Sequence, residues 1–362
     1  MNDILIEDRL KGDILKKRTL FLGIILISTS VALVGCHSRR SSSGQTPLKI
    51  ALITDASGVN DRSFNQSAWE GLKSWGKENG IKKGIGFNYY QSNSPSEYAT
   101  NYDSATSAGY NLQFGIGFTQ EQAIENAAQR NSDVNYVIID SKPSKNITNL
   151  SSALFADNEG AYLAGVAAAK TTKTNEIGFI GGQQSDVITR FEKGYIAGAN
   201  SVNPNVKINI QYANSFTDAS KGKTIAHTMY SEGTDVIFQC AGATGAGVFS
   251  EAKALNSERK ITDKVWLIGV DQDQRYLGTY VSNEGKKSNF VLASTIKEVG
   301  KVVKDFAKNT QKNKFSGGKT VTYNLKNGGV DLKSYDLPSN TKNAINLAKI
   351  KIINGKINVP VK

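Results

Sequence analysis

The stretch "LKIALITDASGVNDRSFNQSAWEGLKSWGKENG", residues 48–80, decides the fold because it joins a buried strand to an amphipathic helix through one polar loop. Its first part, 48–54, is apolar and rich in β-forming residues, which is typical of a strand covered on both faces. The apolar residues of one helical face then recur at helical spacing: Phe64, Ala68, Leu72 and Trp75. We therefore expect a helix that begins at Phe64, with Ser63 and Gln66 forming a capping box.

The same alternation of apolar runs and helical segments continues along the chain. Further strands are predicted at 136–140, 177–182, 207–213, 235–239, 265–270 and 290–294. Strands that alternate with helices predict right-handed βαβ units and mostly parallel sheets covered on both faces. Because the alternation falls into two series, the predicted fold class is α/β, with two doubly wound, Rossmann-like lobes joined by hinge crossovers.

The first series ends near residue 156, which sets the expected division of the chain into lobes. We expect lobe 1 to comprise 48–155 with 286–320, and lobe 2 to comprise 156–285 with 321–362. The hinge would then lie near residues 156 and 285.

The first 47 residues differ in composition from the rest of the chain. The basic "LKKR" at 15–18 precedes an apolar run that ends at Gly35, which predicts a signal peptide over 1–35. An uncleaved membrane helix is the alternative, since the run is almost long enough to span a bilayer. The sequence "LVGC" resembles the bacterial lipobox and favours the signal peptide, with Cys36 as the lipidated residue. The polar segment 36–47 would be a flexible tether on the outer face of a bacterial cell membrane.

The charge balance is strongly basic. The formal net charge is +12, and 1–35 contribute five basic and four acidic residues, which leaves +11 for the remainder. Such a charge favours anionic surfaces, including lipid headgroups. The lysines are scattered and no DNA-binding signature is present, so we expect no nucleic-acid partner.

The composition argues against an enzyme and against a metal site. The chain has two histidines, and only His227 lies in the predicted folded part. A Ser/His/Asp triad would depend on that residue, and no G-x-S-x-G sequence is present. One buried thiol, Cys240, and one histidine cannot form a zinc site. The glycines of "GATGAG" are in the wrong order for a dinucleotide fingerprint, so we expect neither catalysis nor a cofactor.

Polar or glycine-rich stretches follow several of the predicted strands. Asp55, Asp140, Gly242 and Asp271 each stand at or just beyond the carboxyl end of such a strand. Ligands of doubly wound sheets bind at this edge, and two facing lobes would bring two such edges around one cleft. The cleft is therefore the predicted binding site.

The aromatic residue at the helix start has two interpretations. Phe64 could pack the helix onto its neighbour, or its ring could form one wall for a flat ligand. Stacking tolerates different bases, so selection would need polar partners. Asn65 both donates and accepts hydrogen bonds, and Asp55 accepts from ring N–H groups.

The stretch "GVNDRSFNQSAWEGL" resembles the signature of the basic membrane protein family of bacterial lipoproteins. The similarity continues through "EGAYLAGVAAAKTTKTNEIGFIGGQ", "FEKGYIAGAN", "DVIFQCAGATGAGVF", "IGVDQDQ" and "FSGGKTVTYNLKNGGVDL", and covers nearly all of 48–362. The best-understood branch of this family consists of purine nucleoside receptors of ABC importers. The resemblance implies a type I periplasmic-binding-protein fold, a nucleoside ligand, and ABC permease and ATPase subunits as partners.

The resemblance also implies a role for each site residue. A nucleoside would lie between the rings of Phe64 and Phe216, and the base would contact Asp55 and Asn65. The ribose would contact Asp271 and Lys297, with Lys297 also keeping the Asp271 carboxylate charged. Gly242 would approach the ligand through its backbone, and Asp140 is the remaining matched position.

Three departures from the family pattern bear on this site. Ala243 adds a methyl group where the family has glycine, and Phe216 stands where many members have tryptophan. The segment "SNEGKKSN", 282–289, lies between Asp271 and Lys297 and is longer than usual, which affects the register of Lys297.

Two other functions remain open from the sequence. The same architecture serves receptors for sugars and other small solutes, since fold does not settle the ligand. A basic surface lipoprotein could also serve in adhesion or signalling, without transport.

Overall fold

Residues 47–362 are the part of the chain that the computed structural model describes, and they form one unit. This unit contains two six-stranded sheets and the helices that cover them. The predicted signal peptide and the lipidated Cys36 lie outside the described residues. No helix within 47–362 is long and apolar enough to span a bilayer.

The first sheet is entirely parallel. Its strands are β1 (Ile50–Ile53), β2 (Phe87–Tyr90), β3 (Leu112–Ile116), β4 (Asn135–Ile139), β5 (Leu150–Phe155) and β13 (Thr320–Tyr323), in the order β13-β5-β4-β3-β1-β2. Its helices are α1 (Phe64–Glu78), α2 (Tyr98–Ser107), α3 (Glu121–Arg130) and α8 (Val299–Gln311). Helix α8 comes late in the chain but packs against α1, and the two helices cover one face of this sheet.

The second sheet is parallel except at one edge. Its strands are β6 (Glu176–Gly181), β7 (Lys207–Tyr212), β8 (Val236–Cys240), β9 (Trp266–Gly269), β12 (Val291–Lys297) and β14 (Val330–Ser334), in the order β14-β12-β9-β8-β6-β7. Only β14 runs antiparallel to its neighbour, β12. Its helices are α4 (Asp157–Thr171), α5 (Asp186–Asn200), α6 (Ala219–Ser231), α7 (Gly245–Ser257) and α9 (Ser339–Ile353). A two-stranded ribbon, β10 (Thr279–Val281) with β11 (Lys287–Asn289), completes this lobe.

The α/β prediction with two doubly wound lobes is therefore confirmed, and the first crossing between lobes follows β5. The expected boundaries at 285/286 and 320/321 are wrong. Strand β12 pairs with β9 and β14, so the chain leaves lobe 2 only after Lys297. Strand β13 pairs with β5, so lobe 1 extends to Tyr323. Lobe membership depends on pairing between distant strands, which a local hydrophobic pattern does not encode.

Candidate functional site

A cavity lies between the carboxyl ends of the two sheets. It encloses about 620 Å³ of empty space, counted out to its mouth. All eight residues singled out from the sequence border it: Asp55, Phe64, Asn65 and Asp140 from lobe 1, and Phe216, Gly242, Asp271 and Lys297 from lobe 2. Ala243 does not border the cavity, so its extra methyl group does not narrow it.

The strands aim the polar residues at this cavity. Asp140 directly follows β4, and Lys297 is the last residue of β12. Asp140 (φ 68°) and Asp271 (φ 65°) both adopt the left-handed backbone conformation, which is uncommon for residues other than glycine. Such strained residues cluster at binding sites, where the surrounding structure holds them in place.

Helix α1 begins at Phe64 as expected, but the predicted capping box is wrong. The Asp61 carboxylate accepts the backbone N–H groups of Ser63 (2.9 Å), Asn65 (2.8 Å) and Gln66 (3.0 Å). The Ser63 side chain makes no capping bond, and Gln66 accepts from the N–H of Arg62 at 3.1 Å. A carboxylate two residues before Ser63 outcompetes the hydroxyl because its charge favours the helix N-terminus.

Both amide hydrogens of Asn65 are used inside the protein. Its Nδ2 donates to Asp55 Oδ1 and to Asp61 Oδ2, each at 2.9 Å. The sequence-based view that Asn65 both donates to and accepts from a ligand therefore needs correction. Its carbonyl oxygen accepts the N–H of Asp55 at 3.4 Å and can accept one further hydrogen bond, and the side chain holds the Asp55 carboxylate in place.

Asp55 keeps one acceptor atom without a partner among the described residues. Its Oδ1 accepts from the N–H of Ser57 at 2.8 Å and from Asn65, whereas its Oδ2 faces Gly117. Burial raises the pKa of Asp55 to about 6, and the hydrogen bonds it accepts offset only part of that effect. A ligand N–H group would supply the missing partner.

Four aromatic rings border the cavity, two more than the sequence predicted. Phe216 lies against Gly182, where a Cβ atom would fall 2.2 Å from the ring, so only glycine permits this ring position. Phe118 meets Phe216 edge to face, with ring centroids 6.3 Å apart. Phe118 follows β3 and could have been inferred from that position. Phe191 is on helix α5, and nothing in its local pattern points to the cavity.

Lys297 lies at the centre of a buried charge cluster. Its Nζ is 2.6 Å from Asp140 Oδ2 and 2.9 Å from Asp157 Oδ1, and Arg190 binds the other Asp157 oxygen at 3.0 Å. Burial acts to lower the pKa of Lys297, but the neighbouring carboxylates outweigh it and raise that pKa. The ammonium group therefore stays charged. Asp157 and Arg190 were not predicted, because their partners are distant in sequence.

The same ammonium group is surrounded by aromatic faces. Lys297 Nζ is 5.1 Å from the ring centroid of Phe64, 4.8 Å from that of Phe155 and 5.6 Å from that of Phe191. These contacts stabilise a cation in place of water. Asp140 Oδ1 is buried nearby without a hydrogen-bond partner among the described residues. A buried acceptor of this kind is costly unless a ligand satisfies it.

Asp271 joins the two lobes. The hydroxyl of Ser63, from lobe 1, donates to its Oδ2. Burial raises the pKa of Asp271 to about 7, and Lys297 lowers it too little to compensate. Lys297 therefore acts on Asp271 in the expected direction, but its ammonium group also pairs with Asp140 and Asp157 and offsets only part of the effect of burial.

Two glutamines add hydrogen bonds between the lobes. Gln272 Nε2 donates to the carbonyl of Ser63 at 2.6 Å, and Gln274 Nε2 donates to the carbonyl of Arg62 at 2.9 Å. Neither glutamine borders the cavity. These two hydrogen bonds hold the loop before α1 against the loop after β9. Both loops carry site residues, so the site residues of the two lobes stay together as long as these bonds persist.

The chain resembles known proteins over its whole folded part. Residues 48–362 match the family model described as "Bmp: ABC transporter substrate-binding protein PnrA-like". A protein of Lactococcus lactis subsp. cremoris named ABC transporter nucleoside-binding protein BmpA is 62% identical over 354 residues, covering 96% of this chain and all of that protein. Basic membrane protein A of Borreliella burgdorferi is 35% identical over 346 residues, covering 93% of this chain and 94% of that protein.

Solved structures share the fold at low sequence identity. A solute-binding protein of an ABC transporter system from Aeropyrum pernix K1 has a TM-score of 0.74 at 24% identity, covering 87% of this chain and 94% of that one. This similarity concerns the fold alone. Together with the family match and the relatives, it leads to one assignment: the chain belongs to the PnrA-like family of ABC transporter substrate-binding proteins, which are binding proteins and not enzymes.

Proposed function

We propose that the protein captures purine nucleosides in the cavity between its lobes and delivers them to the permease and ATPase subunits of an ABC importer. The observation that carries this proposal is the cavity itself, which combines aromatic walls from both lobes with carboxylates that have unused acceptor atoms. The nucleoside-binding name of the 62% identical relative supports the same ligand class.

The base would lie between Phe64 and Phe216. Stacking on one aromatic ring contributes roughly 1–3 kcal/mol per base and tolerates different bases. The bicyclic purine covers more of each ring than a pyrimidine does, which is the physical basis of the proposed purine preference. At the edge of the base, Asp55 and the Asn65 carbonyl offer acceptors only, so they would bind N–H groups.

The ribose would lie beside Asp271, Lys297 and Asp140. Asp271 would accept hydrogen bonds from ribose hydroxyls, and a third hydroxyl would satisfy the unpaired Asp140 oxygen. Lys297 donates a hydrogen bond to Asp140, and its 2.9 Å contact with Asp157 Oδ1 is an ion pair, so N–H groups of the ammonium remain for a ligand oxygen. A ligand that touches both lobes favours the closed arrangement by its differential affinity.

Phe64→Ala is expected to weaken nucleoside binding by a factor of roughly 5–100, because it removes one stacking wall. Phe64→Tyr should retain most of the affinity, since it keeps the ring. Calorimetric titration of both variants with guanosine measures the difference. Equal affinities for the alanine variant and the unchanged protein would contradict the stacking arrangement.

Nucleoside binding is expected to weaken at least tenfold between pH 8 and pH 5. In the empty protein the pKa of Asp271 is about 7 and that of Asp55 about 6, so both acquire a proton in this range. The proposed ligand needs both as acceptors, so affinity is full above the higher pKa and falls as the pH drops through both values. Titrations at half-unit intervals of pH measure the effect, and a flat profile would contradict the two roles.

The proposed site of action is the outer face of the cell membrane, where a lipid on Cys36 would anchor the protein. Uptake of radiolabelled guanosine by cells that lack the protein tests the transport function. We expect uptake to fall and to return when the gene is restored, but not when the Asp271→Ala form is supplied. Mass spectrometry of the membrane-extracted protein tests the lipid on Cys36.

A further inference from the structure

The long segment between Asp271 and Lys297 builds a second cavity. The ribbon of β10 and β11 folds beside the starts of β9 and β12, near Trp266 and Val291. Because the other ends of these parallel strands lead to Asp271 and Lys297, this second cavity lies at the opposite edge of the sheet from the nucleoside site. It encloses about 970 Å³ of empty space, counted out to its mouth.

Three cationic side chains border the second cavity. Lys264 and Arg275 are partly buried, whereas Lys287 on the ribbon is exposed. Lys287 has no ion-pair partner in residues 47–362, and Lys264 has no carboxylate oxygen within 4.0 Å there. The hydroxyls of Thr279 and Ser288 add further donors to the same walls.

Aromatic rings fix two of these cations in place. Lys264 Nζ lies 4.0 Å from the centre of the Trp266 ring and donates to Ser288 Oγ at 3.3 Å and to the carbonyl of Asn289 at 3.2 Å. The Arg275 guanidinium lies 4.5 Å from the Tyr335 ring. Burial lowers the pKa of Lys264, the charge of Asp336 offsets part of that effect, and the charge of Arg275 adds to it, so a bound anion would further stabilise the charged ammonium.

Among the described residues that border this cavity, Asp336 is the one with a carboxylate. Asp336 pairs with Arg275 at 2.5 Å, and its side chain is 83% exposed. Such an exposed ion pair contributes little to stability, so another anion can replace the Asp336 carboxylate beside Arg275. The Arg275 guanidinium has further N–H groups beside the one that contacts Asp336. A guanidinium group can bind a tetrahedral oxyanion through two parallel hydrogen bonds.

We propose that the second cavity is a binding site for a phosphate group, held by Lys264, Arg275 and Lys287. A phosphate suits it because three cationic side chains border one cavity and because, within residues 47–362, two of them form no ion pair with a carboxylate. The phosphate could belong to a small soluble ester or to a phospholipid headgroup, and the chemistry of recognition is the same for both.

The test uses residues 47–362, which contain both complete sheets, at low ionic strength. Binding of inorganic phosphate and glycerol 3-phosphate is measured by ³¹P NMR titration, and binding to vesicles of phosphatidylglycerol and phosphatidylcholine by flotation. We expect saturable binding that weakens as salt is added. Binding to the soluble phosphates alone assigns a small ester, and tighter binding to the phosphatidylglycerol vesicles assigns a lipid headgroup. Absence of binding to every probe overturns the proposal.

Three variants locate the site. Lys264→Gln is expected to weaken phosphate binding at least fivefold, whereas Lys308→Gln, which removes an exposed charge from α8 in the other lobe, should leave it unchanged. Asp336→Asn should strengthen binding, because it frees Arg275. All three should bind guanosine normally.

Equal losses in the two lysine variants would overturn the proposal in favour of a general charge effect. Because Asp336 is exposed, its asparagine variant should fold normally, so an unchanged phosphate affinity in that variant would also count against the site.

Discussion

Replacement of Lys297 by methionine is expected to lower the free energy of unfolding by about 3–5 kcal/mol. The Lys297 side chain is 3% exposed, and its ammonium group neutralises Asp140 and Asp157, which are themselves buried. Without it, Arg190 alone would oppose two carboxylates, and removal of one partner from a buried ion pair leaves an uncompensated charge. Urea unfolding of residues 47–362 at pH 8 measures the loss.

Lys301→Met is the matched control. Lys301 pairs with Asp305 one helical turn away on α8, and both side chains are about 40% exposed. An exposed pair of this kind contributes roughly 0.3–0.5 kcal/mol, so the control should unfold almost like the unchanged protein. Similar losses in the two variants would contradict the view that Lys297 is the centre of the buried charge cluster.

Asp271→Ala is expected to weaken ribonucleoside binding by a factor of roughly 10–100. The carboxylate would accept hydrogen bonds from the ribose hydroxyls, and a net hydrogen bond to a charged group contributes about 1.5–3 kcal/mol. The same variant should bind 2′-deoxyguanosine and 3′-deoxyguanosine with affinities closer to that for guanosine, because the discriminating group is gone. Calorimetric titration with the three nucleosides provides the comparison.

Asp273→Ala removes a carboxylate two positions along the same loop. Its side chain pairs with Lys333 at 2.5 Å and does not border the cavity, so nucleoside affinity should stay unchanged. If both aspartate variants bound guanosine equally well, or if the Asp271 variant kept its full preference for guanosine over the deoxynucleosides, the ribose role of Asp271 would be refuted.

The features that were predicted correctly from the sequence are those that depend on local residue patterns. Helix α1 begins at Phe64 because the apolar spacing and the preceding polar loop are both local features. Strands β1, β4, β8 and β9 are followed by Asp55, Asp140, Gly242 and Asp271. Because ligands of doubly wound sheets bind beyond the carboxyl ends of the strands, this position was enough to predict that the four residues border one cavity. Asn65 was predicted from its place at the start of α1, and Phe216 and Lys297 from the family resemblance; all three border the same cavity.

The errors concern contacts between distant residues. The Ser63 hydroxyl donates to Asp271 across the lobes, and Asp61 caps the helix instead, so the cap depends on a contact between residues distant in sequence. Asn65 donates both its amide hydrogens to carboxylates, and the Lys297 ammonium pairs with Asp140 and Asp157. Hydrogen-bond partners and ion pairs of this kind are set by tertiary packing, so composition and spacing could not predict them.

The strand pairings in the last third of the chain could not be predicted from the sequence either. The run at 290–294 has the composition of a buried strand, which predicts its existence but not its lobe. Pairing with β9 places β12 in lobe 2, and the ribbon before it occupies the segment that looked like an insertion.

Calorimetric titration of residues 47–362 with guanosine, inosine, adenosine, uridine, cytidine and ribose tests the central claim most directly. We predict saturable binding of one nucleoside per protein, strongest among the purines, and no measurable heat from ribose alone, because ribose cannot fill the space between the two rings. Binding of ribose or another free sugar, with no response to any nucleoside, would contradict the account.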